Sequence, residues 1–320
     1  MIPLRDNIPS RTVPVVNYAV ILACLAVFAV QSGDRDGRLT FLYGMIPARI
    51  SQPDRPVVIE HRELVQTVFG VREVEFRSEV PQPPMPVWLT VLTCIFLHGS
   101  LMHLAGNLWF LWIFGDNVED RLGHLGYLLF YLGSGSLASL SHYWMYPGSV
   151  VPTIGASGAI AGVMGAYLYL YPRANVVSLV PILMFLQVLV IPAPVFLGLW
   201  FLLQLWQGTF AVGAGEAAGV AWWAHIGGFA FGASMMGMGA AIVNAGGTLG
   251  GTGTLAGPVT VNAGGTLAPG LSPGTINTGN LNVAGTLAGS YRTVAHARGV
   301  IDITGTLTRA DARTVSRYVP

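Results

Sequence analysis

Lysine is absent from this sequence, and charge of either sign is scarce. All 16 basic residues are arginine, charged residues make up 10% of the 320, and the formal net charge is +1. Soluble domains carry about 25% charged residues. A chain that is 52% hydrophobic, with a mean hydropathy of +0.59, is therefore interpreted as a membrane protein. The near-neutral balance gives no indication of nucleic-acid binding.

Cysteine is almost absent as well. The two cysteines, Cys24 and Cys94, both lie in apolar runs. Two thiols placed in this way predict neither a disulfide framework nor a cysteine metal motif, and buried thiols are the expected outcome.

Six apolar stretches have about the length that a membrane-spanning helix needs, which is roughly 20 residues. They cover residues 15–31, 87–114, 126–146, 151–171, 176–206 and 221–242. Pro181, Pro192 and Pro194 interrupt the fifth, which is predicted to be one long broken helix or a helix with a kinked entry. No small-residue cleavage site closes the first stretch, so it is interpreted as a span rather than as a signal peptide. The predicted fold class is an all-α membrane bundle of six transmembrane helices.

Arginine indicates the orientation of the predicted spans, because short cytoplasmic loops carry an excess of basic residues. The arginines near the span ends on the N-terminal side are Arg5, Arg11, Arg121 and Arg173. The short loops on the opposite side, 147–153 and 208–220, contain no arginine. An even number of spans puts both termini on one side, so both are predicted to be cytoplasmic.

Three other segments complete the predicted domain plan. Residues 1–14 form a cytoplasmic lead, 15–242 form the six-helix domain, and 243–320 form a Gly-rich tail. The long first loop of the helical domain, 32–86, holds seven arginines and eight acidic residues. A loop of this length is either disordered or a folded cap.

The tail repeats at a regular interval. Gly-Thr-Leu recurs at 247–249, 265–267, 285–287 and 305–307, spaced by 18, 20 and 20 residues. Short β-runs at such a period predict stacked β-solenoid coils. A disordered Gly-rich tail is the alternative, and the return of apolar residues at fixed offsets favours coils.

A run of small residues around Ser157 opens the fourth stretch. Ser157 lies in the sequence Gly155-Ala156-Ser157-Gly158, at the predicted first turn of a helix. Backbone N–H groups at that position have no intrahelical partner and bind negative charge well. The run is consistent with close helix packing alone, or with a nucleophile if a base lies within reach.

The last stretch carries a matching small-residue face beside a histidine. Gly228 and Gly232 are four residues apart, next to His225. If this face packs on the fourth helix, His225 meets Ser157. A neutral imidazole can then accept the serine proton and return it to a leaving amine.

The imidazole of His225 needs a partner to hold it. No acidic residue lies in the last stretch, so a Ser-His dyad is predicted in place of a triad with aspartate. Hydrogen bonding or an aromatic side chain such as Tyr167 or Trp223 is expected to fix the ring. A histidine used only for packing or proton relay is the alternative.

A second polar cluster lies around the second stretch. His103 and Asn107 are four residues apart and hence on one helical face, with His98 just before them. Two donors on one face suit an oxyanion hole. A metal site built from His98, His103 and His225 is the rival interpretation, but no His-Glu-x-x-His motif supports it.

Together these residues resemble the rhomboid family of intramembrane serine proteases over about residues 12–243. The resemblance is carried by Gly155-Ala156-Ser157-Gly158, by the spacing His98-x4-His103-x3-Asn107, and by Ala224-His225-x-x-Gly228-x-x-x-Gly232. Order, spacing and assignment to spans all agree with that family, so the combination is far more specific than any one motif.

The resemblance implies a role for each of these residues. Ser157 is the expected nucleophile and His225 the expected general base. His103, Asn107 and the Ser157 backbone N–H are expected to stabilise the oxyanion, while His98 is expected to hold the long first loop. The glycines expected to shape the site are Gly155, Gly158, Gly228 and Gly232.

The resemblance also implies what the protein acts on. The family cleaves transmembrane helices of other membrane proteins near their outer ends, without a cofactor. Water reaches the dyad through an outward-facing cavity covered by the loop at about 207–220. The implied partners are transmembrane protein substrates and the lipid bilayer, with no metal and no nucleic acid, and the implied location is the bacterial inner membrane.

Two features depart from that family. Many bacterial members carry a Trp-Arg pair in the first loop, and residues 32–86 contain none, which leaves the shape of the loop open. The tail instead resembles the passenger-domain β-helix repeats of bacterial autotransporters, which are normally secreted. Either the tail is a fusion without a selected role, or the predicted topology is wrong by one span; the fusion is preferred.

Two other functions stay open. One is an inactive rhomboid-like protein that binds transmembrane helices without cutting them. The other is a surface or adhesion protein in which the tail does the work.

Overall fold

The computed structural model describes most of the helical part of the chain and short segments of the tail. The described residues are 1–67, 70–182, 185–214, 220–238, 241–246, 248–250, 253–254, 259–268, 275–278, 281–284, 286–288, 294–297, 301–303, 306–308 and 315–317. The chain divides into two compact units. One comprises Met1–Gly165 and Arg173–Gly232, and the other comprises Ala166–Pro172 and Ala233–Pro320.

Long helices dominate the first 240 residues. They are α1 (Val15–Ser32), α5 (Leu101–Met145), α6 (Ser157–Leu170), α7 (Ala193–Ala214) and α8 (Trp222–Met238), with short helices α2 (Arg38–Tyr43), α3 (Pro47–Ser51) and α4 (Thr90–Thr93) before α5. Gly123 has φ 71° inside α5 and breaks it into two helices. Glycine tolerates this left-handed conformation, which other residues avoid. Six long helical segments therefore stand where the six apolar stretches are.

Length and apolarity single out fewer of these helices as membrane spans. Among the described residues, α1 alone is both long and apolar enough, and a second span is counted if the pair Val87–Phe96 and Leu101–Met145, bent by 80°, is one broken span. Helix α6 is apolar but has only 14 residues, so it falls short of the length a bilayer needs.

The second apolar stretch contains a bend of 80°. Residues 87–96 form short turns, and α5 begins only at Leu101. Ser100 has extended backbone angles and accepts a hydrogen bond from His103 N at 3.1 Å. A serine in this geometry is a helix N-cap, so the chain must turn before the helix starts.

The prediction for 176–206, one long broken helix or a helix with a kinked entry, is wrong in its first half. Strands β4 (Asn175–Ile182) and β5 (Phe185–Pro192) form an antiparallel hairpin, and α7 begins only after it. Both strands are rich in valine and isoleucine, which favour strands. Pro181 is tolerated because β1 (Ile2–Asp6), the outer neighbour of β4, pairs only as far as Leu179, which leaves the proline beyond the three-stranded part.

Segments that precede and follow the helices gather at two ends of the first unit. At one end, residues 1–14 meet Asp120 and the β4–β5 hairpin through β-pairing and through the hydrogen bond from Asn175 N to Asn7 Oδ1. At the other end, residues 45–51 meet 147–153. The two groups alternate along the chain, as expected when each long helix runs once from end to end.

Helix α1 is capped by a carboxylate from another helix. Glu119 of α5 is 1% exposed and accepts hydrogen bonds from Val16 N at 3.0 Å and Asn17 N at 2.7 Å. The first N–H groups of a helix lack intrahelical partners and carry partial positive charge. Glu119 satisfies two of them and so fixes the start of α1 against α5.

The long first loop is folded. Strands β2 (Val58–Thr67) and β3 (Gly70–Glu79) pair in an antiparallel hairpin. Arg49 is 1% exposed, and its guanidinium donates to Phe41 O and to Pro81 O, both at 2.6 Å. Burial lowers the pKa of Arg49. One buried arginine thus links the two ends of the loop, which lacks the Trp-Arg pair.

The described part of the tail consists of short parallel strands. They are β6 (Ala241–Val243), β7 (Thr248–Gly250), β8 (Gly253–Thr254), β9 (Val259–Val261), β10 (Thr266–Ala268), β11 (Thr275–Thr278), β12 (Leu281–Val283), β13 (Thr286–Ala288), β14 (Val294–Ala297), β15 (Ile301–Ile303), β16 (Thr306–Thr308) and β17 (Val315–Arg317). They form three four-stranded sheets, ordered β16-β13-β10-β7, β17-β14-β11-β8 and β15-β12-β9-β6. Leu267 is buried and aligns with Leu249 and Leu287 of adjacent repeats.

Candidate active site

Ser157 is the first residue of α6. The turn before it depends on Gly155, which has φ 123° and donates its N–H to Cys94 O at 2.9 Å. The first intrahelical bond of α6 runs from Ile160 N to Ala156 O. The N–H groups of residues 157–159 therefore point out of the helix end, which is favourable for negative charge.

Small residues set the distance between α6 and α8. A β-carbon on Gly228 would overlap the backbone oxygen of Gly158, and one on Gly232 would overlap that of Gly162. Gly158 also faces α5, where a β-carbon would come within 2.6 Å of Ala138 Cβ. The helix backbones are therefore in direct contact, as the paired small faces predicted.

The close helix contact brings Ser157 and His225 together. His225 Nε2 lies 2.8 Å from Ser157 Oγ, which is hydrogen-bond distance. The two residues are 68 positions apart in the chain and meet through the glycine contacts between α6 and α8. Their contact is the arrangement needed for a base to activate a hydroxyl nucleophile.

Sequence reasoning missed Gln204, which holds the other side of the imidazole. Gln204 Oε1 of α7 lies 2.7 Å from His225 Nδ1. The rings nearest to His225 include Trp200 and Trp222, each with its centroid 6.0 Å away. Gln204 could have been identified as a polar residue within an apolar stretch. Its hydrogen-bond partner could not, because that depends on which face of α7 points inward.

His103 and Asn107 line the same cavity as Ser157, His225 and Gln204. Its volume is about 300 Å³. Asn107 is 8% exposed, and its Nδ2 is buried without a hydrogen-bond partner among the described residues. An amide donor buried in this way is costly unless a ligand group satisfies it, so Asn107 is suited to bind an oxygen entering the cavity.

Gly155 and His103 are in close contact. A β-carbon on Gly155 would lie 2.8 Å from both Cε1 and Nε2 of the His103 ring. The imidazole therefore packs directly on the backbone that precedes Ser157. Four helices, α5, α6, α7 and α8, thus bring polar side chains to one cavity.

His98 lies behind His103, away from the dyad. Its ring centroid is 5.2 Å from that of His103, and its Nδ1 is 3.2 Å from Phe96 O. Its backbone N–H donates to Gln31 Oε1 at the end of α1. These contacts link His98 to His103 and to the end of α1, where the first loop begins, and its expected role in holding the loop stays a prediction.

Two other sequence predictions bear on the cavity. Among the described residues, no group of three or more His, Cys, Asp or Glu side chains is arranged to hold a metal ion. The expected cover at about 207–220 overlaps the end of α7, which runs to Ala214. Residues 215–219 of that cover lie outside the described residues.

The site has the parts needed for acyl transfer. A hydroxyl contacts an imidazole, and the hydroxyl stands at a helix N-terminus. Two further side chains with N–H donors face the same cavity. This combination can generate a nucleophile and stabilise an oxyanion formed by its attack on a carbonyl.

The chain matches known proteins over its second helical half. Residues 86–241 match the family model described as Rhomboid domain, which leaves α1 and the first loop outside the match. Similar proteins include Rhomboid-like protein 11, chloroplastic, of Arabidopsis thaliana, which is 42% identical over 77 residues. They also include Rhomboid protein 1, mitochondrial, of Saccharomyces cerevisiae, 34% identical over 97 residues, and Rhomboid protease GluP of Bacillus subtilis, 43% identical over 82 residues.

These matches are partial on both sides. They cover 24%, 29% and 26% of this chain in the order given, and 27%, 28% and 16% of the respective relatives. The chain therefore spans less than a third of the length of each of the three.

Proposed function

We propose that the chain, whose residues 86–241 match the Rhomboid domain family, is an intramembrane serine endopeptidase. It cleaves transmembrane segments of other membrane proteins through a dyad of Ser157 and His225. The observation that supports this most directly is the 2.8 Å distance between Ser157 Oγ and His225 Nε2. Chemistry that needs only a nucleophile and a base requires no cofactor.

In the acylation step, Ser157 Oγ attacks the carbonyl carbon of the scissile peptide bond. His225 Nε2 takes the hydroxyl proton as the C–O bond forms, and then delivers it to the leaving amine. The products of this step are a free amine fragment and an ester on Ser157.

In the deacylation step, a water molecule attacks the ester carbonyl. His225 accepts a proton from the water and returns one to Ser157 Oγ, which restores the hydroxyl and releases a carboxylic acid. Water must therefore reach the cavity, and the cavity holds about 300 Å³ between the helices.

Both steps pass through a tetrahedral oxyanion. The donors available to it are the Ser157 backbone N–H at the start of α6 and the side chains of His103 and Asn107. The unpartnered Nδ2 of Asn107 supports this role, because a buried donor gains a partner only when the oxyanion forms.

The membrane arrangement belongs to the same proposal. The proposal includes six spans, which are α1, the two halves of α5, α6, α7 and α8. The segments that connect them alternate between two ends of the unit, which supports this number. Arginine placement orients the N-terminal end to the cytoplasm, in a bacterial inner membrane. The partners are then single-span or multi-span proteins whose helices reach the cavity through the bilayer.

The decisive experiment compares three forms of the full chain in liposomes with a single-span reporter protein. Wild type is expected to cleave the reporter, while Ser157→Ala and His225→Ala are expected to be inactive, because each removes one member of the dyad. Equal cleavage by all three would contradict the proposal. Binding of the reporter by wild type without cleavage would favour an inactive rhomboid-like protein that only recognises transmembrane helices.

A further inference from the structure

We propose that Gln204 is a positioning residue that sets the tautomer of His225. Its side-chain oxygen accepts a hydrogen bond from Nδ1–H, which leaves Nε2 unprotonated and directed at Ser157. The inference rests on the proposed protease function, since the tautomer has meaning only if His225 acts as a base.

The geometry defines this arrangement at both ring nitrogens. Nδ1 is 2.7 Å from Gln204 Oε1, and Nε2 is 2.8 Å from Ser157 Oγ. An amide oxygen can only accept, so a hydrogen bond at this distance needs a proton on Nδ1. A neutral imidazole carries one proton, and Nε2 is then the acceptor that a serine hydroxyl requires.

The other tautomer would be unproductive. With its proton on Nε2, the imidazole would donate to Ser157 Oγ and could not take the hydroxyl proton. One net hydrogen bond of this kind biases the two tautomers by a few-fold to about tenfold. Fixing the ring plane adds to this, since a misplacement of about 1 Å can cost a hundredfold in rate.

The burial of Gln204 shows that it is directed inward. It is 6% exposed, whereas Leu202, Leu203 and Trp206 on the same helix are more than half exposed. A polar side chain within an apolar helix is costly unless it has a partner. His225 supplies that partner, so the single inward polar side chain described here in α7 meets the single histidine of α8.

Among the described residues, the neighbours of His225 do not provide an equivalent acceptor. Trp200 and Trp222 flank the ring and limit its movement, but an indole N–H is a donor only. In the same described part of the chain, the titratable groups that act on His225 electrostatically are His103 and His142, and neither is a carboxylate. Gln204 therefore takes the orienting place that an acidic residue holds in a three-membered triad, without adding a charge.

A matched set of variants of the full chain tests this role. Gln204→Met keeps the length of the side chain and removes the acceptor, and Gln204→Glu keeps the acceptor and adds a charge. Gln207→Met is the control, because Gln207 is an exposed glutamine on the same helix. The readouts are the rate of fluorophosphonate labelling at Ser157, kcat and KM for the reporter in phosphatidylethanolamine/phosphatidylglycerol liposomes, their pH dependence, and thermal unfolding.

Gln204→Met is expected to lower both the labelling rate and kcat by about tenfold to a hundredfold, with KM unchanged. Gln204→Glu is expected to restore most of the rate. It should also move the acidic limb of the pH–rate profile to higher pH, because a carboxylate beside Nδ1 stabilises the protonated imidazole. Gln207→Met is expected to match wild type.

Equal labelling of wild type and folded Gln204→Met would overturn the inference while leaving the protease proposal intact. Equal losses in Gln204→Met and Gln204→Glu, with no change in the pH profile, would also overturn it, since they indicate packing alone. If Gln204→Met does not fold, the acidic limb of the pH–rate profile of Gln204→Glu provides the test, and an unshifted limb would overturn the inference. Failure of wild type to label at Ser157 would instead reject the proposed function itself.

Discussion

At the scale of single residues, Gly155 satisfies two requirements at once. Its φ of 123° is a conformation that residues with a β-carbon rarely adopt, and its missing side chain leaves room for the His103 ring. The backbone before Ser157 and the His103 ring, a candidate oxyanion donor, are thus positioned by one glycine.

Gly155→Ala is therefore expected to reduce activity by at least about tenfold. The β-carbon must move either the His103 ring or the turn before Ser157, and backbone strain of this kind costs about 1–3 kcal/mol. Reporter cleavage and thermal unfolding measure the two effects. Gly148→Ala is the control, because a β-carbon there meets nothing within 4 Å, and an unchanged Gly155→Ala enzyme would show that the turn is not constrained.

Asn107→Ala is expected to lower kcat by about a hundredfold or more, the usual effect of removing one oxyanion donor. Because its Nδ2 has no partner among the described residues, the loss should fall on kcat, with little change in KM or in the unfolding temperature. A rise in KM at unchanged kcat would assign Asn107 to substrate binding instead.

The residue types in the site were more predictable from the sequence than their contacts. Ser157, His225, His103 and Asn107 stand out because each is polar inside an apolar stretch. Gln204 meets the same criterion, but the first residue of α7 could not be predicted because an apolar hairpin directly precedes the helix. Without the start of the helix, its inward face could not be assigned, and neither could the partner of His225 Nδ1.

At the scale of elements, the start of α1 depends on a side chain from α5. Glu119 binds the N–H groups of Val16 and Asn17, while its neighbour Asp120 binds those of Arg11 and Thr12. The first pair is buried or half-buried and the second is exposed, so water can replace Asp120 but not Glu119.

Glu119→Ala is accordingly expected to lower the free energy of unfolding by about 1–3 kcal/mol, the cost of leaving buried donors unsatisfied. Asp120→Ala should have a clearly smaller effect, because solvent reaches its partners. Thermal or denaturant unfolding of both variants in detergent gives the comparison. Equal losses for the two would contradict a capping role that depends on burial.

Helix positions followed from the sequence better than helix boundaries did. The apolar run at 176–206 has no periodicity that distinguishes a buried helix from a pair of strands. The first half of the run forms strands because β4 pairs with the N-terminal strand. The glycine face of α8 could be predicted because residues four apart lie on the same face of a helix, wherever the helix begins and ends.

At the scale of the whole molecule, every side chain of the candidate site lies between Gly44 and Gly232. The repeats that follow contribute strands to a separate unit. Their parallel alignment, with Thr266 beside Thr248 and Thr286, needs only neighbouring repeats. The resemblance of these repeats to autotransporter passengers stays a prediction, as does their place in the cytoplasm.

Deleting residues 244–320 is therefore expected to change the cleavage rate per folded molecule by less than about twofold, since changes that leave a site intact have small effects and the described side chains of the candidate site come from the other unit. The measurement is reporter cleavage normalised to the fraction labelled at Ser157. A large loss of rate in a chain that still labels would show that the repeats take part in catalysis or in substrate delivery.

The pairing of β1 with β4 has a consequence for synthesis. Asp6 leaves the ribosome before its strand partner Val176, which follows only after α1, α5 and α6 have been made. The first strand therefore stays unpaired while those helices insert into the membrane. Contacts so distant in sequence form late. The sheet therefore closes only when the fourth helical segment is in place, and anything fused directly before Ile2 is present at that closing step.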